Sequence, residues 1–202
     1  MHALQKNGTG LHIVLLALLG ALMSGCATRA APLNLYDFGP LPAASVASAP
    51  VSIAAIRTPT ALNNQLMLYR LAYVNDLQPR SYAGSRWSMA PAQLLEQRLK
   101  GRLAQAGTVV LSSSEGANTL PLLRIEVDEM IQNFSSPQQS QAQLALRATL
   151  FVGRTVLAQK SLRQQAPAAS ADAAGGARAM ADASDALIGE LIAWLAAVPL
   201  PK

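Results

Sequence analysis

The side chains that most often do chemistry are scarce in this chain, and their positions matter more than their number. There are two histidines, His2 and His12, and one cysteine, Cys26. Both histidines precede the cysteine, so a chain cut at Cys26 keeps none. Without histidine, neither a Ser-His-Asp nor a Cys-His nucleophilic site can be assembled. A zinc site of the usual Cys/His type is excluded in the same way. The carboxylates Glu126, Asp128 and Glu129 form an acidic cluster. Glu126 and Asp128, two residues apart, share one face of an extended strand, and that face is polar, so a solvated sheet surface is its expected setting. A hydrolase needs one carboxyl in a desolvating pocket, and the neighbouring residues supply none. No Gly-x-x-x-x-Gly-Lys-Ser/Thr loop is present to cradle a nucleotide. The reading is therefore non-enzymatic, with no catalytic residue, metal or cofactor.

The cysteine has a different context. Residues 1–25 read as an export signal. Lys6 gives a positive start, and residues 11–22 are an apolar run. That run is shorter than the roughly 20 residues that span a bilayer and suits a signal peptide. Met23-Ser24-Gly25-Cys26 then resembles the lipobox of bacterial lipoproteins, although Met23 stands where Leu is usual. The resemblance implies cleavage between Gly25 and Cys26 and lipid attachment at Cys26, with acyl chains such as palmitate. Two or three chains hold a protein stably where one is marginal. Ala27 follows rather than Asp. By the same resemblance the protein goes to the outer membrane and faces the periplasm. Residues 26–34 are the expected lipidated tether and residues 35–199 a single domain, a length that buries one core.

The elements of that domain are written in its periodicity. Leu33 to Phe38 alternates and stops at Gly39-Pro40; further extended stretches are Val51 to Arg57, Gln65 to Val74 and Arg80 to Trp87. A helix runs from Pro91 to Ala106, with Leu95, Leu99, Leu103 and Ala106 on one face and Gln97, Arg98, Lys100 and Gln105 on the other. Gly107 is its stop. Residues 108–111 form a short strand. Residues 121–134 alternate at Leu123, Ile125 and Val127, and residues 141–152 at Ala142, Leu144, Leu146, Ala148 and Leu150. Gly153-Arg154 is a tight turn into a hairpin partner at residues 155–163. Met180, Ala183, Leu187, Leu191, Trp194 and Val198 step at helical spacing within residues 172–198. The expected fold is α+β: an antiparallel or mixed sheet of about five to six strands packed against two main helices.

Three blocks carry a family resemblance: Leu35-Tyr-Asp-Phe-Gly-Pro40, Leu68-Tyr-Arg-Leu-Ala-Tyr73, and Tyr82-Ala-Gly-Ser-Arg-Trp-Ser-Met-Ala-Pro-Ala-Gln-Leu-Leu95. Together they resemble the ABC-type transport auxiliary lipoprotein family. The resemblance implies an outer-membrane component of an MCE-type intermembrane lipid transport system. Its partners would be an MCE-domain substrate-binding protein and the ABC permease and ATPase. Because MCE proteins form rings, a homo-oligomer is also implied. The alternative is a stand-alone lipid-binding or envelope-assembly lipoprotein with a groove between helices and sheet.

Charge and aromatic residues suggest where a partner would touch. The formal net charge is +5, and Arg70, Arg80, Arg86, Arg98, Lys100 and Arg102 crowd the stretch 70–102. Tyr69, Arg70, Tyr73, Tyr82, Arg86 and Trp87 are the candidate contacts for a partner or lipid. Opposed to this are core packing for the aromatics and solvated arginines. An exported chain has no access to nucleic acid, so none is expected as a partner.

Overall fold

The computed structural model describes residues 32–43, 51–53, 59–107, 110–112 and 120–199. Cys26 and the stretches expected as an export signal and most of a tether lie outside the described residues, as does the end of the stretch expected at 51–57. In chain order the elements are β1 (Asn34–Tyr36), β2 (Val51–Ile53), β3 (Leu66–Leu71), β4 (Pro79–Trp87), α1 (Pro91–Gln105), β5 (Val110–Ser112), β6 (Leu122–Ser136), β7 (Gln139–Val152), β8 (Thr155–Pro167) and α2 (Ala173–Ala197).

The strands form one mixed sheet, and with the two helices this is the expected α+β fold. β6, β7 and β8 make an antiparallel meander. The other edge of β6 is shared. β2 runs parallel to its start, with Ile53 opposite Leu123, and β3 runs parallel to its end, with Leu71 opposite Phe134. β5 extends β2. β4 pairs antiparallel with β3, and β1 closes that side, parallel to β4. Gly153 has a φ of 59° at the β7–β8 turn, a conformation open to glycine without a Cβ penalty.

The alternation in β6 does not run straight through. Leu123, Ile125 and Val127 are buried, and then Met130, Gln132 and Phe134 are. A register shift between Val127 and Glu129 moves the inward positions from odd to even numbers. This is the effect of a β-bulge. It keeps Glu129 out of the core and turns Gln132 into it.

The helices cover one face of the sheet. Leu94, Leu95, Leu99 and Leu103 of α1 and Met180, Leu187, Ile188, Leu191, Ile192 and Leu195 of α2 join Leu123, Ile125, Leu144, Leu146 and Leu150 in one core. Each such side chain contributes about 1.5–3 kcal/mol on burial. Trp194 packs half-buried against this core.

α2 begins at a side-chain cap. Asp172 accepts the Gly175 N–H at 2.8 Å, and the Ser170 hydroxyl donates to it at 2.8 Å. The Gly175 amide, then Ser170, hold the Asp172 carboxyl below its ordinary range. A carboxyl with a lowered folded pKa stabilises above its unfolded value, about 4, and that contribution is lost as pH falls through the folded pKa. Asp172→Ala is therefore expected to cost about 1 kcal/mol near pH 7. The difference from wild type should shrink in acid. Urea unfolding at both pH values measures it, and an equal loss at both would contradict the charge argument.

Candidate functional site

Residues 34–40 are joined to the rest of the domain by four separate contacts. β1 lies along β4, and the Ser88 N–H donates to the Tyr36 carbonyl at 2.7 Å. Asp37 accepts the Gly39 N–H at 2.7 Å, and Gly39 takes a φ of 66°. This is an Asx turn with glycine at its left-handed position. It drops Phe38 into the core, edge-on to Trp87 with ring centroids 5.7 Å apart.

The fourth contact is a buried ion pair. Arg98 of α1 is 6% exposed, and its Nε and Nη2 donate to the two carboxylate oxygens of Asp185 on α2, at 2.9 and 2.5 Å. Its Nη1 donates to the carbonyls of Gly39 and Pro40, at 2.9 and 2.7 Å. One guanidinium thus ties both helices to residues 39 and 40. The fixed fork of arginine makes this possible, and lysine has no equivalent geometry. Arg102 adds a second, longer contact to Asp185 at 3.5 Å.

The six candidate contact residues separate into several environments. Tyr69 and Tyr82 meet, with ring centroids 4.6 Å apart, and Phe134 stands edge-on to Tyr69 at 5.9 Å. Trp87 is 4% exposed and serves the core. Arg86 turns back along its own strand and donates to the carbonyls of Tyr82 and, at 2.8 Å, Ser85. Arg70 pairs with Glu129 at 3.2 Å. Tyr73 is exposed, beyond the end of β3.

The pairing of Arg70 is general in the basic stretch. Lys100 reaches Glu96 at 2.8 Å, and Arg98 and Arg102 are spent on Asp185. Arg80 donates to Gln78 at 3.2 Å. Four of the six cations thus have carboxylate partners, while Arg80 and Arg86 keep neutral ones. On β6 and β7, Arg147 sits between Glu126 and Asp128, at 3.5 and 3.6 Å. These two carboxylates are partly exposed, as a solvated sheet surface requires. Arg98 itself departs from the expected polar helix face. It falls three residues after Leu95 and one before Leu99, inside the buried stripe.

Gln132, not foreseen from the sequence, organises a second buried cluster. It accepts from the Tyr82 hydroxyl at 2.9 Å and donates to Ser140 Oγ at 2.8 Å and to the Asp172 carbonyl at 3.1 Å. Burial pushes the Tyr82 phenol above its ordinary range, and Tyr69 and Asp172 add in the same sense. The phenol therefore stays a donor. The bulge before Met130 was the missing signal, because it decides which of Gln132 and Asn133 faces inward.

A cleft of about 730 Å3 lies between residues 35–42 and the first half of α2. Leu35, Phe38, Leu41, Ala174, Ala177 and Ala181 give it apolar walls, and Asp37, Arg98, Arg178, Asp182 and Asp185 give it charged ones. Among the described residues, no three of His, Cys, Asp and Glu come close enough to hold a metal. No described helix is long and apolar enough to cross a membrane.

The fold is thus a mixed-sheet α+β domain whose N-terminal segment is locked to both helices. The ABC-type transport auxiliary lipoprotein component family matches residues 36–191, and the chain belongs to it. Protein XCC0632 from Xanthomonas campestris shares the fold with a TM-score of 0.65 and 18% identity, over 82% of this chain and 92% of that one. A second solved protein, uncharacterized, does so with a TM-score of 0.63 and 11% identity, over 82% and 99%. No curated protein matches the sequence.

Proposed function

We propose that the protein is a non-enzymatic, lipid-anchored component of an MCE-type intermembrane lipid transport system, held at the outer membrane and facing the periplasm. In this reading residues 1–25 are a signal peptide, Cys26 carries the lipid, residues 26–34 are the tether and residues 35–199 the working domain. The observation that carries it is the family match over residues 36–191 directly behind a lipobox-like Cys26. The clamp supports it mechanically. Residues 39 and 40, a short way beyond the tether, are hydrogen-bonded to a buried arginine. A pull on the anchor is then borne by the whole domain and not by a loose leader. The partners are the MCE-domain substrate-binding protein with its permease and ATPase, and a homo-oligomer would match an MCE ring.

Envelope fractionation tests the anchor. The wild-type protein should sediment with outer membranes, and Cys26→Ala should appear in the soluble periplasm. A Cys26→Ala protein that stays with the membrane contradicts the lipid attachment.

The stand-alone lipid-binding reading is favoured by one observation, the cleft with its Leu35, Phe38 and Leu41 wall. A volume of several hundred Å3 is typical of ligand sites, but five charged residues share this one. Lipid extracted from purified Cys26→Ala protein, and lost when Ala177→Trp fills the cleft, would favour it over docking.

A further inference from the structure

The turn between β3 and β4 presents apolar side chains to solvent on an ordered frame. Tyr73 is 45% exposed, Val74 61% and Leu77 87%. The backbone beneath them is pinned. The Val74 and Asn75 N–H groups both donate to the Leu71 carbonyl at 2.9 Å, and the Leu77 N–H donates to Asn75 Oδ1 at 2.9 Å. The Ala72 N–H reaches across to the Phe134 carbonyl at 3.0 Å. Such a frame holds three apolar groups outward instead of letting them fold onto the core.

The topology relates this turn to the tether. β1 runs parallel to β4, with Asn34 opposite Ser85. The chain therefore enters β1 from the end of the sheet where β4 begins, which is the end that carries the turn. β4 carries extra residues between Ser81 and Arg86, so from Arg86 back to Pro79 the paired β3 advances only from Leu66 to Arg70, about 13 Å at the usual rise. From Cys26 to Asn34 is eight residues, a reach of at most about 27–29 Å when fully extended. A chain of that length lets an anchored Cys26 reach the level of the turn, so the turn can meet the bilayer that holds it.

We infer that the turn formed by Tyr73, Val74 and Leu77 seats in the interfacial layer of the bilayer that holds the Cys26 acyl chains. The inference rests on the lipid-anchor reading above. The chemistry of the turn fits a shallow lipid contact. Leu77 and Val74 supply apolar area, and Tyr73 supplies a ring with a polar tip, which suits the headgroup level. Asp76, exposed between them, limits the depth to the headgroups. Arg80, at the base of the turn, lies where lipid phosphates would be. The β6–β7 turn is at the same end of the sheet, because β6 runs parallel to β3. The β7–β8 turn at Gly153 and Arg154 is at the opposite end and serves as the internal control.

The test uses the full lipidated protein in vesicles of phosphatidylethanolamine and phosphatidylglycerol. Cys26 is the only cysteine and is blocked by its lipid, so Leu77→Cys and, separately, Thr155→Cys each take one environment-sensitive fluorophore. The expected result is a blue shift and quenching by brominated acyl chains at position 77, with neither at position 155. Protein that floats with the vesicles while position 77 stays as wet as position 155 overturns the proposal and leaves the anchor intact. Protein that does not float overturns both. A label at position 77 that stays wet on vesicles but is shielded when envelope proteins are added assigns the turn to a protein partner and also overturns the lipid contact.

Discussion

Arg98→Ala is expected to destabilise the domain by about 3 kcal/mol, at the low end of the range for breaking a buried ion pair. The substitution leaves the Asp185 carboxylate without its two-point partner and two carbonyls, those of Gly39 and Pro40, without a donor. The low end applies because Asp185 keeps 20% of its side-chain surface exposed and Arg102 stands 3.5 Å away. Arg98→Lys retains the charge but offers one ammonium where a fork served four acceptors, so its loss should be intermediate. Urea unfolding of the Cys26→Ala protein gives the energies. Amide exchange at residues 38–41 should speed up in Arg98→Ala more than exchange in β7. Unchanged stability and unchanged exchange would mean that the clamp is not what holds the N-terminal segment.

Gly176→Ala should destabilise by about 1–3 kcal/mol, although helix propensity alone favours alanine by about 1 kcal/mol. A Cβ at Gly176 would fall on the side-chain amide of Gln132. That amide cannot swing aside freely, because Tyr82, Ser140 and the Asp172 carbonyl all hold it. The sign is therefore set by the contact and not by the backbone. The check is a double-mutant cycle. With Gln132→Ala already present the obstruction is gone, and Gly176→Ala should become neutral or stabilising. A loss of the same size in both backgrounds would place the cost elsewhere.

Arg98 and Gln132 have roles that the sequence hides for physical reasons. The long elements were legible because their signals are local. Gly153-Arg154 marks the β7–β8 hairpin, and the spacing from Met180 to Val198 marks α2. Which polar residue before that run caps it, Asp172, comes only from the structure. Gln132 was not legible. A bulge at Asp128 inverts the pattern downstream, and no short motif announces it. Arg98 looked like a solvent-facing helix residue because charge usually means exposure. Its position beside Leu95 and Leu99 says otherwise, but only Asp185, 87 residues away, makes its burial affordable.

The candidate contacts show the same division. Trp87 is core, and Tyr69 and Tyr82 form a joint cluster with Phe134. Arg70 is paired with Glu129, and Arg86 donates to carbonyls of its own strand. Tyr73 alone of the six stands well into solvent, beside Val74 and Leu77. The family blocks turn out to be largely architectural: Asp37-Phe38-Gly39-Pro40 and Trp87 fix the start of the described domain to its core and helices. A role in transport then falls to surfaces that these contacts hold in place.

The central claim is that this domain works as the anchored partner of an MCE assembly. The most direct measurement is recovery of the lipidated protein from crosslinked cell envelopes, followed by identification of what comes with it. The account predicts an MCE-domain protein together with its permease and ATPase. An intact, well-expressed bait that brings down no MCE protein would contradict it.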